Sequence, residues 1–330
     1  MSLSRPIARI DGYGALPSAM RGGVVAIGNL DGVHRGHQQV LEAALEKARV
    51  GGVPALALTF EPHPRTVFRP DAPVARITPA RAKAHILGAL GFDAVVEQPF
   101  TREFASLPAS AFIDDLLVSG LGISHVMAGH DFHFGKGRTG TPDMLVAAGA
   151  GQGFGVTLVD AFTDEAGATI SSSRIRSLLA EGALGEATGL LGYRPVFEAG
   201  VTGGKKLGRT LGFPTANMAL PAETPLAHGI YAVRFRRANG DIHDGVASFG
   251  RRPTVDEDGA PLLETFLFGF SGDLYGEVCT VTLVSRLRGE EKFDSLDALV
   301  AQMRRDEAEA REILPLIAPL SPLDAALSFA

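Results

Sequence analysis

One cysteine, Cys279, is all that the 330 residues contain. A single thiol excludes an internal disulfide and fits a reducing compartment. Cys279 lies in an alternating apolar segment, which reads as packing. No uncharged apolar run is long enough to span a bilayer. Residues 1–17 hold no apolar core of signal-peptide length. A soluble, cytoplasmic protein with no membrane partner is therefore expected. Basic charge is also in short supply: 31 Lys and Arg stand against 37 Asp and Glu, a net −6. That balance, with no basic patch interleaved with aromatics, argues against a nucleic-acid partner. Internal repeats and low-complexity tracts are missing too. What remains is ordinary globular composition, 45% hydrophobic and 21% charged, at a length for which two domains are the natural expectation.

Two halves with different periods support that expectation. Short apolar strands are predicted at 24–28, 55–60, 94–96, 125–128 and 156–159. Helical stretches fall between them at 37–49, 79–90, 109–118 and 142–148. Two of these helices open with Thr then Pro (Thr78-Pro79 and Thr141-Pro142), an N-cap followed by proline at the first helical position. Alternating strand and helix implies a parallel sheet covered on both faces, with ligands beyond the carboxyl ends of the strands. Two short helices, 173–180 and 184–190, bridge to the second half. There, strands at 196–201, 229–235, 244–248, 263–270 and 278–284 are separated by Gly, Pro and Asp turns, which predicts a small barrel. A charged amphipathic helix over 296–313 follows it.

The densest signal is Gly28-Asn29-Leu30-Asp31-Gly32-Val33-His34-Arg35-Gly36-His37. A β-branched strand ends in a glycine turn, and two histidines three apart follow where a helix begins. Residues at i and i+3 share a helix face. The helix start adds unpaired N–H groups and a positive dipole end. Imidazole donates a hydrogen bond whether neutral or charged. The pattern reads as a cradle that stabilises charge on a phosphorus centre. No Asp or Glu on this helix completes a zinc ligand set.

Three more segments of the first half can join that pair. Phe60-Glu61-Pro62-His63-Pro64 ends the second strand at the binding edge. The stretch 129–138 offers a carboxylate, aromatics and cations, with Asp131 and Phe132 at its start. Ser171-Ser172-Ser173-Arg174-Ile175-Arg176 reads equally as a plain N-cap or as a phosphate clamp. In the second half, Thr215 and Asn217 alternate on one face if extended. Their neutral oxygens suit a magnesium ion that bridges to a nucleotide, although such residues also satisfy turns. Glu264 sits in a strongly apolar strand, either facing solvent or held for proton abstraction. Two glycine clusters mislead. Residues 149–153 follow a helix and precede a strand, the reverse of a dinucleotide fingerprint. Residues 203–210 approach a P-loop, but Arg209 replaces its lysine and Phe213-Pro214 stops the helix. A basic glycine loop can still wrap phosphates.

Taken together and in this order, these segments resemble the prokaryotic bifunctional riboflavin kinase/FMN adenylyltransferases, over about residues 23–305. The matching stretches in the second half are 208–217, 229–232, 273–276 and 288–293, with Ser295-Leu296 after them. The resemblance implies an α/β nucleotidylyltransferase-type Rossmann-like domain over 1–185. A small all-β barrel kinase domain with a C-terminal helix would follow over 186–330. It also implies two reactions. Riboflavin and ATP would give FMN in the barrel, with Glu264 as base, Thr215 and Asn217 on Mg²⁺, and Arg288 near the flavin. The loop with Gly203, Lys205, Gly208 and Arg209 would lie near the nucleotide. FMN and a second ATP would give FAD and pyrophosphate in the first domain. There His34 and His37 would stabilise the transition state. Gly28, Asp31 and Gly36 would shape the ATP pocket, Ser172, Ser173 and Arg176 would hold the polyphosphate, and Asp131 and Phe132 would line the flavin or nucleotide pocket. A monomer or weak homo-oligomer is expected.

The chain departs from the family in places. Leu30 stands where Phe is usual, His133 where Arg is, and Ser248 where Asn is. After Glu264, the usual Glu-Val-His-Leu-x-Asp-Phe becomes Glu264-Thr265-Phe266-Leu267-Phe268-Gly269-Phe270. These changes motivate an alternative, an adenylyltransferase with an impaired kinase. A flavin-binding regulator without turnover is a third reading. The intact His34/His37 and Thr215/Asn217 pairs argue against it.

Overall fold

A computed structural model describes residues 7–203, 213–251 and 260–329. The chain divides into two compact units, Met1–Val74 with Pro79–Ser172, and Ala75–Thr78 with Ser173–Ala330.

The first unit is a six-stranded sheet. Its strands are β1 (Ala8–Asp11), β2 (Val24–Ile27), β3 (Ala55–Glu61), β4 (Ala94–Pro99), β5 (His125–Gly129) and β6 (Gly155–Val159), in the order β1-β4-β3-β2-β5-β6. Every pairing is parallel. Val24 to Ile27 are all buried, as continuous apolar runs are when both sheet faces are covered. The helices are α1 (Arg35–Gly51), α2 (Pro64–Phe68), α3 (Ala80–Leu90) and α5 (Pro142–Gln152). A short turn, α4 (Ala109–Ala111), widens into a π-type helix over Phe112–Leu121. Strand order reverses at β2, whose neighbours are β3 and β5. The crevice beyond the carboxyl end of β2 is thus where this class of sheet binds ligands.

The five predicted strands and four helices are present, with shifted ends. Strand β1 was not predicted; its four residues are too short for a periodic signal. Thr141 caps α5, its hydroxyl accepting the Met144 N–H. Thr78 is not the corresponding cap. The α3 helix starts at Ala80, Pro79 occupies the capping position, and no side chain caps there. The glycine stretch 149–153 ends α5, with Gly153 left-handed at φ 82°.

The second unit opens with α6 (Ser172–Glu181, from its second residue) and α7 (Leu184–Leu191). A closed antiparallel barrel follows, ordered β10-β11-β8-β7-β12-β9. Its strands are β7 (Val196–Thr202), β8 (Thr215–Ala219), β9 (Gly229–Arg236), β10 (Ile242–Gly250), β11 (Leu262–Leu267) and β12 (Val278–Arg288). Alternation places Tyr231, Val233, Phe235, Ala247, Phe249, Leu263 and Leu267 in the interior. Cys279 is buried in β12, and burial pushes its thiol up to about 11, consistent with packing. Gly229 has to be glycine: at φ 155° an added Cβ would run into the Arg288 carbonyl across the β9–β12 ladder. Helix α8 (Leu296–Ile313) covers the outside, packing Ala310, and Leu314 just past its end, on Ala232. A final helix, α9 (Pro322–Ser328), was not anticipated. It is fastened by Asp324, which is fully buried and accepts from the Arg194 guanidinium, the Arg194 N–H (2.9 Å) and the Leu320 N–H (3.0 Å).

A buried carboxylate with four donors, the Ser328 hydroxyl at 3.5 Å being the fourth, should be costly to remove, because the arginine is then left buried without its counter-charge. Asp324→Ala is expected to destabilise the second unit by about 3–5 kcal/mol in urea unfolding followed by circular dichroism. A loss below about 1 kcal/mol would show that the pair contributes no more than a surface ion pair does.

Candidate active sites on the two units

In the first unit the site is built from the turn between β2 and α1. Leu30 (φ 51°), Gly32 (φ 85°) and Val33 (φ 37°) all have left-handed backbones. For a β-branched residue that is a strained conformation, and strain of this kind is held only where the surroundings over-determine it. Leu30 and Val33 are buried, and the Gln38 side chain donates to the Val33 carbonyl at 2.7 Å. The contortion turns the chain from strand to helix in seven residues and puts His34 at the N-cap of α1. Its Nδ1 accepts the His37 N–H at 3.3 Å. With Nδ1 an acceptor, the neutral ring carries its proton on Nε2. The two imidazoles stack with centroids 3.6 Å apart and planes 16° from parallel. Gly36 makes this possible, since a Cβ there would sit 3.3 Å from the His34 ring. His37 Nδ1 is buried and has no hydrogen-bond partner. An orphaned polar atom at a helix N-terminus fits a site that a phosphate oxygen completes.

Asp31 and Gly28 belong to this turn, and the other predicted residues lie elsewhere in the two units. Asp31 is 1% exposed, and its carbonyl accepts the Ser172 hydroxyl at 2.8 Å. Gly28 closes on Leu30, whose side chain would lie 3.1 Å from an added Cβ. Asp131 is exposed after β5; Phe132 stacks on Phe134 at 5.6 Å and touches Phe112. Ser173 and Arg176 lie on α6, where the Arg176 guanidinium meets the Ser173 hydroxyl at 3.4 Å. His133, in the place of the family's arginine, has its ring against the Asp131 carbonyl at 2.8 Å.

Sequence reasoning missed Lys83. It is 0% exposed on α3, and its ammonium donates to Thr59 Oγ1 (2.6 Å), Glu61 Oε1 (2.7 Å) and the Asn29 carbonyl (3.2 Å). The signal was available: Lys83 lies three and four residues before Ile86 and Leu87, on the apolar stripe of the helix, where a charge is out of place.

In the second unit, strand register makes the site. Glu264 on β11 pairs with Asn217 on β8 and with Ser248 on β10. Directly paired residues point to the same face, with Cβ atoms about 4.5–5.5 Å apart. Thr215 shares that face two residues along β8. The alternatives left open by the sequence are thereby narrowed: Thr215 and Asn217 are in a strand, not a turn, and Glu264 faces away from the barrel interior. Asn217 is 5% exposed, and its amide donates to the Thr215 carbonyl at 3.2 Å, which fixes its orientation. Two neutral oxygen donors beside a carboxylate fit a magnesium ion that keeps phosphate and water ligands. Arg288 spends one edge of its guanidinium, Nε and Nη2, on Asp306 of α8, at 2.8 and 2.7 Å, and donates from Nη1 to the Gly289 carbonyl at 3.0 Å, which ties the end of β12 to that helix. Gly203 ends β7. Lys205, Gly208 and Arg209 lie outside the described residues.

Comparison with known proteins agrees with this two-site layout. A family model described as FAD synthetase matches residues 16–174, and one described as riboflavin kinase matches residues 191–314. The bifunctional riboflavin kinase/FMN adenylyltransferase of Escherichia coli is 41% identical over 298 residues, 90% of this chain and 95% of that protein. The protein of the same description from Pseudomonas fluorescens is 43% identical over 294 residues, 89% and 93% of the two chains. A crystal structure described as a macrolide-efflux protein from Streptococcus pneumoniae superposes over 93% of this chain and 99% of its own, with TM-score 0.78 and 30% identity. Among the described residues no helix is long and apolar enough to cross a membrane. The chain belongs to the family of bifunctional riboflavin kinase/FMN adenylyltransferases.

The electrostatics of the histidine pair make a test. Burial first, then electrostatic repulsion from the neighbouring His34 imidazole and the Lys83 ammonium, hold His37 well below the usual imidazole value of 6.5. Between that lowered value and 6.5 the unfolded chain binds a proton that the folded chain does not. Stability is therefore full above 6.5 and falls as pH drops, with a slope approaching about 1.4 kcal/mol per pH unit. Thermal unfolding between pH 7.5 and 5.5 should show this loss, and His37→Gln should flatten it. An unchanged slope in the variant would mean that His37 is not buried neutral.

Proposed function

We propose that this chain makes FAD from riboflavin in two ATP-dependent steps, one on each unit. The observation that carries the reading is the pairing of two phosphate-chemistry sites in one chain. One is a stacked histidine pair at the carboxyl edge of a parallel sheet. The other is a carboxylate in register with Asn217 on a closed barrel.

In the barrel, the 5′-hydroxyl oxygen of riboflavin attacks the γ-phosphorus of ATP. A P–O bond forms, the β–γ bridge breaks, ADP leaves, and Glu264 takes the hydroxyl proton. Thr215 and Asn217 would hold Mg²⁺, which when bound offsets the charge of the phosphates. Gly203, Lys205, Gly208 and Arg209 border the nucleotide. Arg288, braced by Asp306, borders the flavin. In the sheet domain, an FMN phosphate oxygen attacks the α-phosphorus of a second ATP. The α–β bridge breaks and pyrophosphate leaves, with no covalent enzyme intermediate. His34 donates from Nε2, and His37 lies stacked behind it. Gly28, Asp31 and Gly36 shape the ATP pocket, and Asp131 with Phe132 contributes to the flavin or nucleotide pocket. Ser172, Ser173 and Arg176 hold the polyphosphate. Catalysis in both places is positioning and electrostatic stabilisation. The working domains are 1–185 and 186–330, in line with the extents of the two family matches, and the single thiol suits the cytoplasm.

A chromatographic time course with riboflavin, excess ATP and Mg²⁺ tests the reading. FMN should appear first and FAD after it. Glu264→Gln should lower FMN formation by about 10²–10⁴-fold, the usual worth of a general base, and leave conversion of supplied FMN to FAD intact. FMN formation unchanged in that variant would remove Glu264 as the base.

A further inference from the structure

The buried ammonium of Lys83 takes no direct part in either reaction. Its three acceptors come from the two strand ends that frame the histidine turn. Asn29 belongs to the turn after β2, next to the strained Leu30, and Thr59 and Glu61 close β3. The Thr59 hydroxyl completes a triangle by donating to the Asn29 carbonyl at 3.1 Å while accepting from Lys83. Thr59 is itself 0% exposed. A lysine stem reaching through apolar packing to three converging oxygens is a costly arrangement for stability alone, because burying an ammonium loses its full hydration.

We propose that Lys83 is a positioning residue for adenylyl transfer: its ammonium pins the carboxyl ends of β2 and β3 together and so fixes where His34 and His37 stand. This rests on the adenylyltransferase reading of the first unit. Two consequences follow from the geometry. The strained turn stays in its left-handed conformation because its Asn29 carbonyl is held from below by an ammonium and a hydroxyl at once. The same positive charge, unscreened by water, acts on His37 and disfavours its protonation. Substrates are not touched by Lys83, so its removal should loosen the site without abolishing binding.

The experiment uses full-length Lys83→Met and Thr59→Val, each assayed for riboflavin to FMN and, separately, FMN to FAD. The His37 ring is followed by NMR titration. Lys83→Met should lower kcat for FAD formation by about 100-fold, the cost of a misplacement near 1 Å. KM values should stay within about threefold, and FMN formation should be unchanged. His37 should titrate at higher pH than in the parent, because the nearby positive charge is gone. Thr59→Val, which keeps the charge and removes one acceptor, should lower the same kcat by about tenfold and leave the His37 titration in place. Unchanged kcat in both variants, or a His37 titration that does not move in Lys83→Met, would overturn the proposal. If Lys83→Met fails to fold, an unchanged kcat in Thr59→Val overturns it alone. A parent protein that makes no FAD from supplied FMN would instead sink the adenylyltransferase reading, while the His37 titration still decides whether the Lys83 charge acts on the pair.

Discussion

A fully buried ammonium costs several kcal/mol unless oxygen acceptors surround it, and the first unit satisfies that demand at one spot. Lys83 draws Asn29, Thr59 and Glu61 together beneath the histidine turn. Much else near the turn depends on this arrangement. Leu30 and Val33 can hold left-handed backbones because the segment is anchored on both sides. The Asn29 carbonyl is held at one end, and the Val33 carbonyl accepts from Gln38 at the other. Once the turn is fixed, His34 has nowhere to go except the N-cap of α1, and stacking with His37 follows. The helix start then presents donors and a partial positive charge toward the same crevice. Net charge on the whole chain is negative, so attraction of nucleotide phosphates has to come from such local arrangements.

The barrel solves the same problem with register. Side chains alternate across a strand, so a slip of one residue on β11 would carry Glu264 into the barrel interior and Thr265 out of it. What holds the register is the interior itself: Leu263 and Leu267 point in with Met218 of β8 and Phe249 of β10, all at most 4% exposed. Placing a carboxylate beside Asn217 is therefore a by-product of apolar packing one residue away. Thr265 Oγ1 is buried without a hydrogen-bond partner, the one polar atom that this interior tolerates on β11. The family's usual valine there carries a methyl in its place.

Much of this was legible in the amino-acid order, for physical reasons. The periods of 2 and 3.6 separated a sheet domain from a barrel. Glycine turns marked strand ends, and Thr141-Pro142 marked a helix start that the structure has. Thr78-Pro79 carried the same signal and failed, since α3 begins one residue later with Pro79 outside it. A local rule cannot tell which side of a proline the first helical turn will close on. Strand β1 and helix α9 escaped because short elements owe their existence to partners far along the chain: β1 to the edge of β4, α9 to Arg194. Lys83 left a signal, a charge on the apolar stripe of α3, but what it binds was hidden because its acceptors are 22 to 54 residues away. Glu264 was ambiguous for a related reason. Only pairing with Asn217 and Ser248 reveals which face it is on.

The departures from the family pattern after Glu264 can now be weighed. Phe266, in place of the usual histidine, is two residues from Glu264 and so on its face of β11. Its ring meets Phe213 edge-on at 4.9 Å and Phe268 at 5.9 Å, and Phe268 lies under the Arg311 guanidinium at 4.1 Å. The segment just before Thr215 is thereby packed onto β11 by aromatic contact, which supports the position of β8 and its two oxygen donors. Gly269, in place of the usual aspartate, has a left-handed backbone (φ 64°) just past the strand end, where it turns the chain and contributes no charge. Neither change alters what flanks Glu264 in the sheet. Asn217 is on one side, and Ser248, still a hydrogen-bonding residue, takes the place of asparagine on the other. A polar neighbour of the base has become part of a hydrophobic brace, and the carboxylate and the oxygen pair that the kinase chemistry needs remain in register.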